Sequence, residues 1–274
     1  AAADGCWQAI PTLALAAGSW WNGDWQYRKA VSFDLSPTGA DVVGSLQDVP
    51  VLVRLSLANF SYFGDAKPAG SDFRVVDGDD RTPLKFHFER YDAQNQMAFL
   101  WIAVPTLTGG AKSDQVYIYY GNSGASDYAA SATYGAQNVW DSSYKSVYHF
   151  QQDPSGTVLD STANHLDLTG ANMTSGNEVT GVLPGFGYSF NGTNQQLFNL
   201  SETWPNTDNA ITVEFWNNIT SVVAAEDQHT AFRWTTSGTQ RASAHAVWQG
   251  SVYFDFGTCC ANPRADGLYT GYAD

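Results

Sequence analysis

The sequence predicts an all-β protein built as two tandem β-sandwiches, and three observations carry that expectation. Apolar residues make up 43% of the chain and aromatic residues 14%, enough to build real cores. Tyr, Phe, Trp, Val and Thr are plentiful, the types that suit a pleated, half-buried surface. Apolar and polar residues alternate with period two in several stretches, and no long amphipathic helical pattern appears. A chain of 274 residues has room for one large domain or two ordinary ones.

Residues 1–19 read differently from the rest. Ala9 to Ala17 is a small apolar run, and Ala17-Gly18-Ser19 resembles a signal-peptidase site before Trp20. The expectation is a signal-peptide remnant, hence a secreted or periplasmic protein of the cell envelope. No stretch holds the roughly 20 apolar residues that span a bilayer, so no transmembrane segment is expected here. Cys259 and Cys260 are adjacent, which leaves a strained vicinal disulfide or two thiols as alternatives.

The first module is placed at residues 20–122. Tyr27 to Leu35 alternates as a half-buried strand does, and Val49, Val51, Val53 and Leu55 repeat the pattern. Asp77-Gly78-Asp79-Asp80 is a turn between strands rather than a calcium loop, because its spacing is not that of an EF-hand. Leu84, Phe86 and Phe88 face away from Lys85, His87 and Glu89. Met97 to Val104 is a continuous apolar run suited to a central strand, and Val116 to Tyr120 closes the set.

Five ordered motifs in this module are Trp20-Trp21-Asn22-Gly23-Asp24-Trp25-Gln26-Tyr27-Arg28-Lys29, Asp48-Val49-Pro50-Val51-Leu52-Val53, Ser71-Asp72-Phe73-Arg74-Val75, Trp101-Ile102-Ala103-Val104-Pro105 and Tyr117-Ile118-Tyr119-Tyr120-Gly121-Asn122. Together they resemble a bacterial domain family of unknown function. That family stands at the N-terminus of secreted envelope proteins, including some labelled as MotA/TolQ/ExbB proton-channel family proteins. The resemblance implies an exported location and envelope company, and it carries over no catalytic residue.

Residues 123–143, rich in Ala, Ser, Gly and Tyr, are expected to be a linker, with a second module over 144–274. Val147 to Phe150 reads as its first strand and Asp153-Pro154-Ser155-Gly156 as a turn. Phe186 to Thr193 reads as a strand and turn, and Ala210 to Trp216 as a central strand with Phe215 and Trp216 serving the core. Arg241 to His245 and Val252 to Gly257 form a hairpin. These motifs resemble a laminin-G/concanavalin A-like jelly roll, with Asn191 in place of the usual Asp. The resemblance implies an incomplete jelly roll and, in most relatives, a binding scaffold.

The chemistry of partners follows from charge. The formal net charge is −14, and residues 125–274 alone carry −10. Such a surface repels phosphate backbones, so no nucleic-acid partner is expected. A glycosidase needs two carboxylates flanking one bond, and Glu214, Glu202 and Glu226 have no acidic partner on the same strand face. No G-x-S-x-G elbow, Walker loop or dinucleotide fingerprint occurs, and the five histidines lack ligand spacing.

What remains is binding. Trp204, Trp234, Trp248 and Tyr253 are the residues expected to stack on a ligand, since a flat ring suits a sugar face or a peptide. Asp160 and Asn164 are the expected metal ligands, with calcium as the ion that hard oxygens take. The plainer alternative there is an Asx-type turn in which Asp160 caps its own backbone. The expected protein is thus a non-catalytic, extracytoplasmic receptor for a glycan or an envelope protein. The alternatives are an exported accessory component of a TolQ/ExbB-type transport system, or a polysaccharide-degrading enzyme whose catalytic strands lie beyond Asp274.

Overall fold

A computed structural model describes residues 20–181, 186–199, 212–218, 228–237, 240–248, 251–258 and 264–268. Two compact units divide the chain: Ala1–His149 with Asp160–His165, and Phe150–Leu159 with Leu166–Asp274. Apart from three short 3₁₀ turns, every regular element among the described residues is a β-strand, so the protein is all-β. Among the described residues no helix is long and apolar enough to cross a membrane.

The first unit holds strands β1 (Tyr27–Ser32), β2 (Leu46–Ser56), β3 (Arg74–Asp77), β4 (Pro83–Leu84), β5 (Phe86–Asp92), β6 (Met97–Leu107) and β7 (Gln115–Tyr120). One antiparallel sheet runs β1-β7-β3-β4 and the other β2-β6-β5. Period-two alternation turns Val75, Val116, Ile118 and Tyr120 of the first sheet inward. Val53, Leu55, Leu100, Ile102 and Val104 of the second sheet join them in one buried cluster. Full burial of each large side chain contributes about 1.5–3 kcal/mol. On β6 the outward Phe99 is buried as well, which explains the unbroken apolar run of a central strand.

One bulge shapes the β2-β6-β5 sheet. The β2–β6 register stays constant past Asp48, although that residue has φ of 50°. Glu89 is the extra residue of the bulge, between Phe88↔Leu100 and Arg90↔Phe99. The acidic turn after β3 consumes its own carboxylates. Asp79 Oδ1 accepts the Arg81 and Thr82 N–H groups at 2.8 and 2.9 Å, and Asp79 Oδ2 accepts the Thr82 hydroxyl at 2.7 Å.

Three of the sequence motifs meet at Asp72, which is wholly buried. Its carboxylate accepts the N–H groups of Lys67, Gly121 and Asn122 at 2.9, 2.6 and 3.0 Å, and its carbonyl accepts Trp25 Nε1 at 2.7 Å. Trp25 belongs to a second aromatic cluster with Tyr119 on the outer face of the β1-β7-β3-β4 sheet. There Arg28 lies 4.4 Å from the Tyr117 ring centre and pairs with Asp80.

The stretch 123–143, expected to be a linker, is tied to this sandwich. Arg74 donates to Ser126 O at 2.5 Å and lies 4.1 Å from the Tyr128 ring centre, while Lys67 Nζ donates to Ser123 O at 3.0 Å. Val147 to Phe150 is not a strand, contrary to expectation. Phe150 turns left-handed at φ 53°, and Val147 N–H bonds to the Asp160 carboxylate at 3.0 Å instead of entering a ladder.

The second unit contains β8 (Thr157–Val158), β9 (Leu168–Ala171), β10 (Glu178–Thr180), β11 (Phe186–Tyr188), β12 (Gln196–Phe198), β13 (Gln228–Ser237), β14 (Gln240–Trp248), β15 (Ser251–Thr258) and β16 (Arg264–Leu268). They form antiparallel sheets β12-β9-β8, β10-β11 and β13-β14-β15-β16. The turn expected after β11 is present. Asn191 Oδ1 accepts the N–H groups of Thr193, Asn194 and Gln195 at 2.9, 3.1 and 3.3 Å, and Gly192 supplies φ of 68°. Residues 212–218 carry no strand, which corrects the expectation for Ala210 to Trp216 over its described part.

Candidate functional site

The outer face of the β2-β6-β5 sheet carries a close group of polar and aromatic side chains. Cross-strand pairing sets His87 of β5 opposite Trp101 of β6. The bulge at Glu89 turns that carboxyl toward the same tryptophan, and Trp101 Nε1 donates to Glu89 Oε2 at 2.8 Å. His149 stacks on His87 with ring centres 5.1 Å apart and planes 23° from parallel. Trp140 closes the group, 5.2 Å from Trp101 and 5.9 Å from His149 between ring centres.

Burial decides the protonation states. It lowers His87 to about 4, and it lowers His149 to about 3 with a further contribution from repulsion by His87. The same desolvation raises Glu89, partly offset by the Trp101 N–H. His149 Nδ1 lies 3.4 Å from Glu89 Oε2, the separation of an ion pair. Desolvation outweighs that attraction, so both imidazoles are neutral at neutral pH and the contact is between a neutral ring and a carboxyl group. His149 Nε2 and Trp140 Nε1 are buried, with no hydrogen-bond partner among the described residues.

The expected metal ligands form a turn. Asp160 Oδ1 accepts the N–H groups of Val147 and Thr162, both at 3.0 Å, and Asp160 Oδ2 accepts the Thr162 hydroxyl at 2.8 Å. Asn164 Nδ2 donates to Tyr144 O at 3.1 Å and Lys145 O at 3.0 Å. This is the Asx-type arrangement, extended to a neighbouring segment. No group of three or more His, Cys, Asp or Glu able to hold a metal ion occurs among the described residues.

The expected stacking residues fall in the second unit. Trp204 lies outside the described residues, as do Cys259 and Cys260. Trp234, Trp248 and Tyr253 sit on consecutive strands of one sheet. Trp248 is at the β14–β15 turn opposite Ser251, Tyr253 is opposite His245, and Trp234 is opposite Ala242. Trp248 and Tyr253 therefore lie toward one end of the sheet, and Trp234 lies in a row farther along it.

Sequence reasoning assigned Phe215 and Trp216 to the core, and the structure corrects this. Trp216 is 77% exposed and Phe215 44% exposed. With no ladder to alternate them in and out, adjacent residues of 212–218 both face water. In the first unit, Tyr27 and Tyr62 also reach solvent. Each stacks on the buried Tyr120 between them, with ring centres 5.4 and 5.8 Å away.

Residues 69–164 match a family described as a domain of unknown function (DUF2341). The match covers roughly a third of the chain and runs from the middle of the first module to Asn164. It includes His87, Glu89, Trp101, Trp140 and His149, and it ends one residue before the first unit does. No curated protein and no solved structure matches the chain.

Proposed function

We propose that this chain is a non-catalytic, extracytoplasmic binding protein that recognises a neutral glycan or a protein through the loops of its second module. The observation that carries the reading is the exposure of Trp216, a large apolar ring presented to water beside the half-exposed Phe215. A rigid indole gains most when a flat apolar face covers it, and a sugar ring or a peptide provides one. The net charge of −14 restricts the partner to neutral or cationic surfaces.

The laminin-G-like motifs support the same reading. The jelly-roll identity of the second module and its stacking residues Trp234, Trp248 and Tyr253 belong to this proposal. So does export to the periplasm or beyond. The match over residues 69–164 favours a second reading, an accessory component of a TolQ/ExbB-type envelope system, because it falls where the envelope-domain resemblance lies.

Affinity electrophoresis in gels containing neutral polysaccharides, with calcium or with chelator, tests the first reading. Retardation in at least one gel is expected, weakened about tenfold or more by Trp216→Ala. Free migration in every gel, with no protein captured from an envelope fraction, would sink it.

A further inference from the structure

A pocket of about 200 Å³ opens in the first unit between β5 and the segment 127–136. Its lining includes His87, Asp127, Tyr128, Tyr134, Gly135 and Ala136, beside apolar surface from the phenylalanines of β5 and from Ala130. Gly135 is needed for the close approach, since a Cβ there would stand 2.1 Å from Ala129 O. One face of the Tyr128 ring is covered by Arg74, and the Tyr134 ring centre lies 5.9 Å away. Neither the expected stacking residues nor the aromatic surface of the second unit takes part.

The chemistry of the wall selects its occupant. Clefts for drug-sized ligands measure about 300–1,000 Å³, so this one holds a single small ring. His87 has one ring face on His149, and no bond to its nitrogens is found among the described residues. A neutral imidazole presents one donor and one acceptor. Asp127 accepts Tyr128 N–H at 3.1 Å through Oδ1 and brings a second carboxyl oxygen. Anions are repelled by that carboxyl group, and a wholly apolar molecule would strip water from His87 and Asp127 without replacing it. Hydroxyl groups, each donor and acceptor at once, match both residues, and the tyrosine rings suit C–H faces.

We propose that this pocket binds one neutral sugar ring, free or at the end of a glycan, as a site separate from the second-module surface. In recognition the sugar hydroxyls donate to the Asp127 carboxylate and exchange hydrogen bonds with His87, with Tyr128 and Tyr134 as apolar walls.

Saturation-transfer NMR on the full chain with glucose, galactose, mannose, xylose and N-acetylglucosamine tests it. At least one sugar is expected to bind with a millimolar Kd. Asp127→Ala, which removes an acceptor, and Ala136→Phe, which fills the space, should each weaken that sugar about tenfold or more. Chemical-shift dispersion identifies any variant that fails to fold, and the other variant then decides. No transfer to any of the five sugars, or transfer undiminished in the folded variants, overturns the pocket. Retardation by a polysaccharide that depends on Trp216, together with absent monosaccharide transfer, overturns the pocket alone and leaves the second-module reading standing.

Discussion

The two units spend similar aromatic side chains in opposite ways. In the first, Phe60, Phe73 and Tyr119 are wholly buried, and edge-to-face contacts link Phe60 to Phe63, Phe73 and Tyr120 at ring-centre separations of 5.1, 5.7 and 5.1 Å. In the second, Phe186, Phe190, Phe215 and Trp216 are all exposed. Composition alone therefore does not say whether an aromatic residue builds a core or a surface. Nor does pairing alone: Phe73 is buried from a loop, while Phe186 is exposed on the paired strand β11.

The sharpest way to break the comparison is Phe73→Ala. The ring fills a site with no solvent access and touches the sandwich core from the loop before β3. Its removal should destabilise the first unit by about 3–5 kcal/mol, read from urea unfolding. A loss under about 1 kcal/mol would show that the core can collapse around the gap.

Acid comes next. His87 falls to about 4 in the folded protein from an ordinary value of 6.5, so the unfolded chain binds its proton first. Stability from this group is fully present above about pH 6.5, is lost as pH falls toward 4, and levels off below. The loss is on the order of 3 kcal/mol for His87. His149 has the same sign and extends the window toward about 3. Glu89 opposes them, because a raised carboxyl group binds its proton first in the folded state, and one carboxyl does not cancel two imidazoles. Urea midpoints at about pH 7 and about pH 4.5 should therefore differ less in His87→Phe than in the parent. Equal differences in the two proteins would refute neutral burial of His87.

How far the sequence could be read varies along the chain. Strand β2 was legible because Val53 and Leu55 sit on an alternation that ends in the core, and β6 because Ile102 lies in the continuous apolar run of a central strand. The turns at Asp79 and Asn191 were legible from short polar side chains that cap their own backbone. Val147 to Phe150 was not, since nothing local announces that Asp160 captures Val147 N–H. The candidate site escaped for a related reason. His87 and Glu89 were placed on the outward face, but the bulge at Glu89 and the return of Trp140 and His149 over that face depend on distant segments.

A smaller effect tests how the exposed tyrosine of β1 is held. Gly121 has φ of 85°, and a Cβ added there would lie 2.5 Å from Tyr27 Cδ2. Gly121→Ala should destabilise by about 1–2 kcal/mol from the backbone alone, since an L-residue is strained in this region. The half-exposed Tyr27 ring can swing away, so the clash adds little. A double variant with Tyr27→Ala should recover only a few tenths of a kcal/mol, measured by the same unfolding curves. Full recovery would mean that ring contact, not backbone, sets the need for glycine.

The smallest expected effect on stability belongs to the residue most important to the proposed function. Trp216 has most of its surface in water, so its removal takes away little buried area. Trp216→Ala should leave the unfolding midpoint within about 0.5 kcal/mol of the parent, as exposed substitutions do. Set beside Phe73→Ala, the pair separates the two uses of an aromatic ring in one chain. If Trp216→Ala destabilised the protein as much as the core substitution does, the indole would be packing and not presenting, and the contrast between the units would fail.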